Sequence, residues 1–229
     1  MIQYTLVRSR RRTIAIHITK MATVEVRAPQ KMSKTAIERF ISSKQKWIEA
    51  HLAKRKLLND KKSAFSLNYG DAVALCGKQY TIICNAVRRG WFDGGNFILP
   101  PGLSSDGIKN AIIQIYKSLA KSIFNNRISF YSRQLNVVPS AVRVTSAKTR
   151  WGSCSGKNSL NFSWRLVLAD DKIIDYVVIH ELAHIKEHNH SIRFWKIVEN
   201  MLPDYKSRQK ELKAFQERLS AQDWDVGQR

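Results

Sequence analysis

The apolar positions of this chain change period along its length. In residues 3–27 they alternate in short runs, Tyr4 and Leu6, then Ile14, Ile16 and Ile18, then Val24 and Val26, a spacing that predicts strands. Over 34–56 the period lengthens to that of a helix, with Ile37, Phe40, Ile41, Ile48 and Leu52 on one stripe and Lys and Arg elsewhere. Trp47 is expected to pack in the core or at its boundary, with stacking on a nucleic acid as the alternative. Residues 59–66 read as a linker, and residues 67–99 as strands with a turn at Gly94-Gly95-Asn96. Pro100-Pro101-Gly102 closes that region. A long helix is expected from about 106 to 133, where Ile108, Ile112, Ile115, Leu119 and Ile123 share a stripe. A strand pair, 142–150 and 160–166, follows, joined by a loop over 152–159. In the second strand Leu160, Phe162, Trp164 and Leu166 face one way and Asn161, Ser163 and Arg165 the other. If that strand is a sheet edge, those three residues are candidates for contact with an added peptide strand. Two final helices are expected at 191–202 and 204–220, split by Pro203.

These elements predict an α+β protein. A basic, mainly β region over 1–102, with one helix near 34–56, precedes a small core over 103–229, which the motif His180-Glu181-Leu182-Ala183-His184 marks as zincin-like metallohydrolase. That core would hold one long helix, a short sheet, a motif-bearing helix and the C-terminal helices.

The chemistry concentrates at His180-Glu181-Leu182-Ala183-His184. On a helix, residues i and i+4 share a face, so His180 and His184 can offer two imidazoles to one metal ion. Glu181 then lies close enough to act on a metal-activated water as general base. A chance HExxH in a chain this long is on the order of 1%. Asp170 and Asp171 are candidate caps ahead of the helix. Ile173 and Val177 lie on the histidine stripe, which makes the ligand face continuous with an apolar one, where an unpaired imidazole is costly.

A catalytic zinc has three protein ligands and one open position. Four of the six histidines fall between 180 and 190. His190 is the favoured third ligand, six residues beyond His184, as in the pattern HExxHxxGxxH. That pattern has Gly where this chain has Glu187, so the chain must turn differently, with Asn189 as the expected left-handed pivot. His188 and Glu199 are the alternative ligands. Arg150, Tyr205 and His188 are the candidate stabilisers of a developing oxyanion.

Residues around the motif carry a resemblance. Arg150-Trp151-Gly152-Ser153-Cys154-Ser155, Asn161-Phe162-Ser163-Trp164-Arg165-Leu166, the segment 175–184, Asn189-His190-Ser191 and Phe194-Trp195 form an ordered set. Together with Arg8 to Ile14, Ala28-Pro29 and Lys46-Trp47-Ile48, this set resembles the YgjP-like metallopeptidases, which are related to the SprT-like and Spartan-like proteases. The resemblance implies a zinc-hydrolase fold, metal ligands at His180, His184 and His190, and a general base at Glu181. Spartan-like proteins often carry a Cys-rich zinc module; this chain has no CxxC pair.

Composition narrows the setting. No apolar run approaches the 18 residues of a membrane span, and the first residues lack the layout of a signal peptide. Three scattered cysteines, Cys76, Cys84 and Cys154, fit reduced thiols and a cytoplasmic location. Cys154 is expected to be a small buried residue. Charge is uneven: residues 1–62 hold 16 Lys/Arg against 4 Asp/Glu, residues 63–135 hold 8 against 3, and residues 136–229 hold 15 against 11. The first segment is the candidate polyanion-binding region, with Arg8, Arg10, Arg11 and Arg12 as its densest cluster.

The expected activity is a one-zinc peptidase acting on protein or peptide, with nucleic acid or a nucleotide as a candidate partner of the basic region. A metal-dependent nucleotide phosphohydrolase is the first alternative, although the chain has no GxxxxGK[ST] loop. A nucleic-acid-binding protein with an inactive zinc site is the second, and the intact Glu181 weighs against it.

Overall fold

The computed structural model describes residues 2–225. The expected α+β class holds. The chain forms two compact units, one of residues 1–65 with 220–223, the other of 66–219 with the residues from 224 on. The expected division at 102 therefore falls inside the second unit, and its far ends, Met1 and 226–229, lie outside the described residues.

In the first unit, β1 (Tyr4–Ser9), β2 (Ala15–Ile18) and β3 (Val24–Pro29) form a sheet of order β1-β3-β2. β3 pairs parallel with β1 and antiparallel with β2. Helices α1 (Lys34–Ser43) and α2 (Gln45–Ala64) follow. Val24, Val26 and Ala28 pack with Ile37, Ile41 and Ile48 as the core. The single helix expected over 34–56 is thus two, broken at Lys44 (φ −109°, ψ 11°), and the second runs through most of the expected linker. Trp47 is 43% exposed, as a residue at the boundary of the core is. Arg8 is committed to the fold. Its Nη1 donates to the carbonyls of Pro29, Gln30 and Met32 at 3.0, 2.8 and 2.8 Å.

The second unit begins with β4 (Ala72–Leu75), β5 (Lys78–Cys84), β6 (Trp91–Phe92) and β7 (Asn96–Leu99), a sheet of order β4-β5-β7-β6. The turn between β4 and β5 places Cys76 and Gly77 at φ 49° and 77°, the left-handed pair of a tight hairpin. The long helix α3 (Ser105–Leu135) is capped by Ser104, whose Oγ accepts from Gly107 N, and ended by left-handed Asn136. Then come β8 (Ala141–Thr145), β9 (Gly152–Cys154), β10 (Ser159–Ser163), a short 3-10 helix (Trp164–Leu168), and helices α4 (Asp171–Lys186), α5 (Ile192–Met201) and α6 (Tyr205–Leu219). Phe97 on β7 and Trp164 both pack on Tyr116 of α3, and the Tyr116 hydroxyl donates to Ala74 O at 2.7 Å. These contacts are why β4–β7 cannot be divided from the core that follows.

The second sheet has order β8-β10-β9. Two expectations change here. Residues 152–154, expected in a loop, pair antiparallel with β10, so β10 is the middle strand and both its edges are occupied. The chain after Ser163 tightens into the 3-10 turn, which takes Arg165 off the strand; its guanidinium donates to Ser146 O at 3.0 Å and to Asp225 at 2.9 Å.

α4 is clamped at its start. Asp170 Oδ1 accepts from Ile173 N at 3.0 Å as N-cap. A Cβ on Gly77 would lie 2.8 Å from the Asp170 Cβ, so the hairpin turn can approach the cap only as glycine. From α3, the guanidinium of Arg127 bridges Asp171 and, at 3.0 Å, Asp175. Its side chain is only 19% exposed, and Asp175 24%. Arg127→Met is expected to lower stability by ~1–3 kcal/mol, because it leaves part-buried Asp175 without its charged donor. Urea denaturation gives the measure; an unchanged midpoint would refute the clamp.

Candidate metal centre

α4 carries apolar Ile173, Ile174, Val177 and Val178 into the core, each 4% exposed or less. That burial turns its next face, with His180, Glu181 and His184, toward the unit's interior. The helix ends at Lys186, and Glu187 leaves it in an extended conformation (φ −143°, ψ 103°). This extended exit, not a left-handed Asn189, makes the turn: Asn189 is absent from the left-handed region and its Oδ1 accepts from Ser191 N at 3.0 Å. Ser191 then caps α5 by accepting from Phe194 N at 3.3 Å. The segment between the helices is so short that His190 swings back over α4.

Ring nitrogens of His180, His184 and His190 lie within 4.8 Å of one another. His180 Nε2 and His190 Nε2 face each other at 3.0 Å. His184 Nδ1 lies 3.0 Å from Glu187 O, which favours a proton on Nδ1 and leaves Nε2 as a free lone pair. The donor set fits a cation with nitrogen preference, and zinc suits three imidazoles. Burial and the neighbouring imidazoles push the His180 pKa down to about 3, so it is neutral and ready to donate a lone pair. Burial, with His190 and His188 nearby, also lowers that of His184. His180 Nδ1 is buried without a partner among the described residues, an orphan for which the structure shows no compensating acceptor.

Aromatic rings fix the cluster. Phe194 stacks on His184 at 4.4 Å, and Trp195 on His190 at 5.6 Å. Tyr205 stacks in turn on Trp195 at 5.4 Å.

Glu181 is 6% exposed, and desolvation raises its carboxyl pKa to about 7. Its burial has a specific source. A Cβ on Gly152 of β9 would lie 2.5 Å from Glu181 Cγ and 2.6 Å from Oε1. Gly152 has no left-handed φ, so contact rather than conformation calls for glycine. Gly152 is a residue that sequence reasoning missed as part of the site. Nothing local to the sequence marks a glycine needed for a distant side chain. Cys154, two residues on, is half-buried; burial and the nearby Glu181 charge raise its thiol pKa.

The other candidates lie elsewhere. His188 and Glu199 are exposed and outside the histidine cluster. Tyr205 is 8% exposed and holds the ring stack. Exposed Arg150 lines a cavity of about 430 Å³ with Thr145, Ser153, Asn161 and Ser163. Asn161 and Ser153 are register partners joined at 3.3 Å on the face opposite Phe162 and Gly152, hence away from Glu181. Ser163 is 1% exposed and its Oγ donates to Ala147 O at 2.7 Å. As a middle strand, β10 cannot accept an added peptide, and the edges are β8 and β9.

The model of the YgjP-like metallopeptidase domain matches residues 12–215, and the chain belongs to that family. Two solved structures are similar over part of it. One is the metallopeptidase zymogen abylysin of Pyrococcus abyssi, 23% identical over 40% of this chain and 92% of that one, with a TM-score of 0.38. The other is the metallopeptidase zymogen jannalysin of Methanocaldococcus jannaschii, 26% identical over 41% and 95%, with a TM-score of 0.36. No curated protein matches the chain.

The Glu181 environment has a consequence for the metal-free protein. Its folded pKa, about 7, lies above the ordinary carboxylate value, so the fold favours the protonated form. The associated stability is present below the ordinary carboxylate pKa and is lost as pH rises through about 7. Glu181→Gln, which cannot ionise, is therefore expected to raise the melting temperature of the metal-free protein at pH 8 and to change it little at pH 4. Equal shifts at both pH values would overturn this reading of the pocket.

Proposed function

We propose that this YgjP-like metallopeptidase is a single-zinc peptidase in which His180, His184 and His190 hold the metal and Glu181 is the general base. One observation carries the reading: three imidazoles converge beside a buried carboxyl on the same helix. When bound, zinc supplies Lewis acidity toward water and toward a carbonyl oxygen. Glu181 takes a proton from the attacking water at its carboxylate and returns it to the leaving amine. The backbone of β9 at Gly152 excludes water from one side of Glu181. The free edge of β9 gives an extended peptide a strand to pair with, which brings its backbone alongside the base. The three unpaired cysteines agree with a reducing, cytoplasmic setting, and no helix among the described residues is long and apolar enough to cross a membrane.

His190→Ala is expected to lower zinc occupancy far more than His188→Ala, measured by metal analysis after dialysis against a weak chelator. Full zinc retention in His190→Ala would remove it from the ligand set.

Glu181→Gln is expected to keep the fold and the zinc yet lower cleavage of an unfolded protein such as casein by at least ~100-fold, because an amide accepts no proton. Wild-type and variant are to be compared on a protein panel and a nucleoside triphosphate panel. Phosphate release without peptide cleavage would replace the peptidase reading with that of a phosphohydrolase.

A further inference from the structure

The basic charge of the first unit plays no part in the metal centre. Of the 16 Lys/Arg in residues 1–62, only Arg27 and Lys34 pair with a carboxylate among the described residues. Arg8 is held by three carbonyls, and Arg11 is half-buried. Arg10 and Arg12, in the loop between β1 and β2, are exposed, as are Lys44 and Lys46 at the start of α2.

The two groups lie at corresponding ends of their elements. Asn59 Nδ2 on α2 donates to Lys20 O, just past the end of β2, at 3.0 Å. Leu52, Ile16 and Ile18 pack against the same core. The first turn of α2 is the end of the helix away from Lys20, and the loop that carries Arg10 and Arg12 is at the end of β2 away from Lys20.

An aromatic platform sits in that turn. Trp47 is 43% exposed and stacks on His51 at 4.0 Å. His51 is fixed by its Nδ1 contact with Trp47 O at 2.8 Å. A rigid, exposed indole flanked by unpaired cations is what an unstacked base requires: a flat apolar partner with the phosphates neutralised beside it. A duplex keeps its bases stacked and offers only the phosphates. A membrane surface would need a wider apolar face, and α2 buries only Ile48 while exposing Lys and Arg along its length.

We infer that the first unit binds single-stranded nucleic acid, with Arg10, Arg12, Lys44 and Lys46 on the backbone and Trp47 stacked on a base. Binding is independent of base sequence, because backbone and stacking contacts carry little base information. It is also independent of the metal centre, since none of these residues is a candidate ligand.

The test is fluorescence anisotropy of the full-length, zinc-loaded protein with a labelled oligothymidylate and with a duplex of equal length, over a range of salt. The single strand is expected to bind more tightly. The slope of log affinity against log salt should be about −0.7 for each phosphate neutralised. Replacing Arg10, Arg12 and Lys46 by Ala should flatten that slope by about two units. Trp47→Ala should weaken single-strand binding about tenfold while leaving the slope and the duplex affinity unchanged. Zinc content and melting temperature, measured on every variant, separate loss of binding from loss of fold. No binding at low salt overturns the proposal. So does equal affinity for duplex, or for heparin with no effect of Trp47→Ala, which would make the patch a general polyanion surface.

Discussion

The second unit depends on keeping one helix face dry while leaving its imidazoles reachable. α4 is apolar enough to be buried on its own account, yet it carries two histidines and a glutamate whose ordinary preference is water. Two backbone approaches and one bridging ion pair hold it there. The β4–β5 turn meets Asp170 at Gly77, β9 meets Glu181 at Gly152, and Arg127 ties the first two turns to α3. Each uses a close contact that no bulkier or uncharged residue could reproduce. Loss of any one loosens the helix at a different turn.

The electrostatics of the site follow from that burial and not from opposite charges. No acidic residue raises the histidine pKa values, and desolvation is the leading cause both for the lowered pKa values of His180 and His184 and for the raised one of Glu181. A low-dielectric environment therefore keeps the imidazoles neutral, as metal binding requires, and draws the carboxyl toward neutrality in pH, as proton transfer requires. Exposed His190 is held by ring contacts instead, with Phe194 edge-on at 4.8 Å and Trp195 stacked at 5.6 Å, and Tyr205 stacks behind Trp195.

Much of this was legible in the sequence because it is written at short range. The 3.6-residue period, the Asp170 cap and the i, i+4 histidines need no knowledge of distant residues. What was not legible depends on contacts far apart in the chain. Nothing around Arg8 says that three carbonyls from 29–32 will take its guanidinium. The strand at 152–154 is three residues long and contains glycine, so its propensity is weak, and it exists because β10 pairs with it. The exit from α4 differs from the expected one for another reason: Glu187 reaches the required direction by an extended conformation open to any residue, so no left-handed residue is needed. The two glycines divide the same way. Gly77 follows the hairpin rule, while Gly152 answers only to Glu181.

A buried carboxyl lacking charged partners destabilises the metal-free fold at neutral pH, and this ties loading of the centre to stability. A divalent cation at the three imidazoles would stand next to Glu181 and favour its ionised form, reversing the local preference set by desolvation. The same cation would take the place of the His180 Nε2–His190 Nε2 contact at 3.0 Å. Both effects act on the folded state alone, because the unfolded chain cannot bring His190 back over α4 without the turn at Glu187. Metal binding then adds to folding free energy by mass action, growing with the ratio of free metal to dissociation constant. The features that make the centre reactive, a dry base and crowded neutral imidazoles, are thus the ones that make the fold of the second unit depend on being loaded.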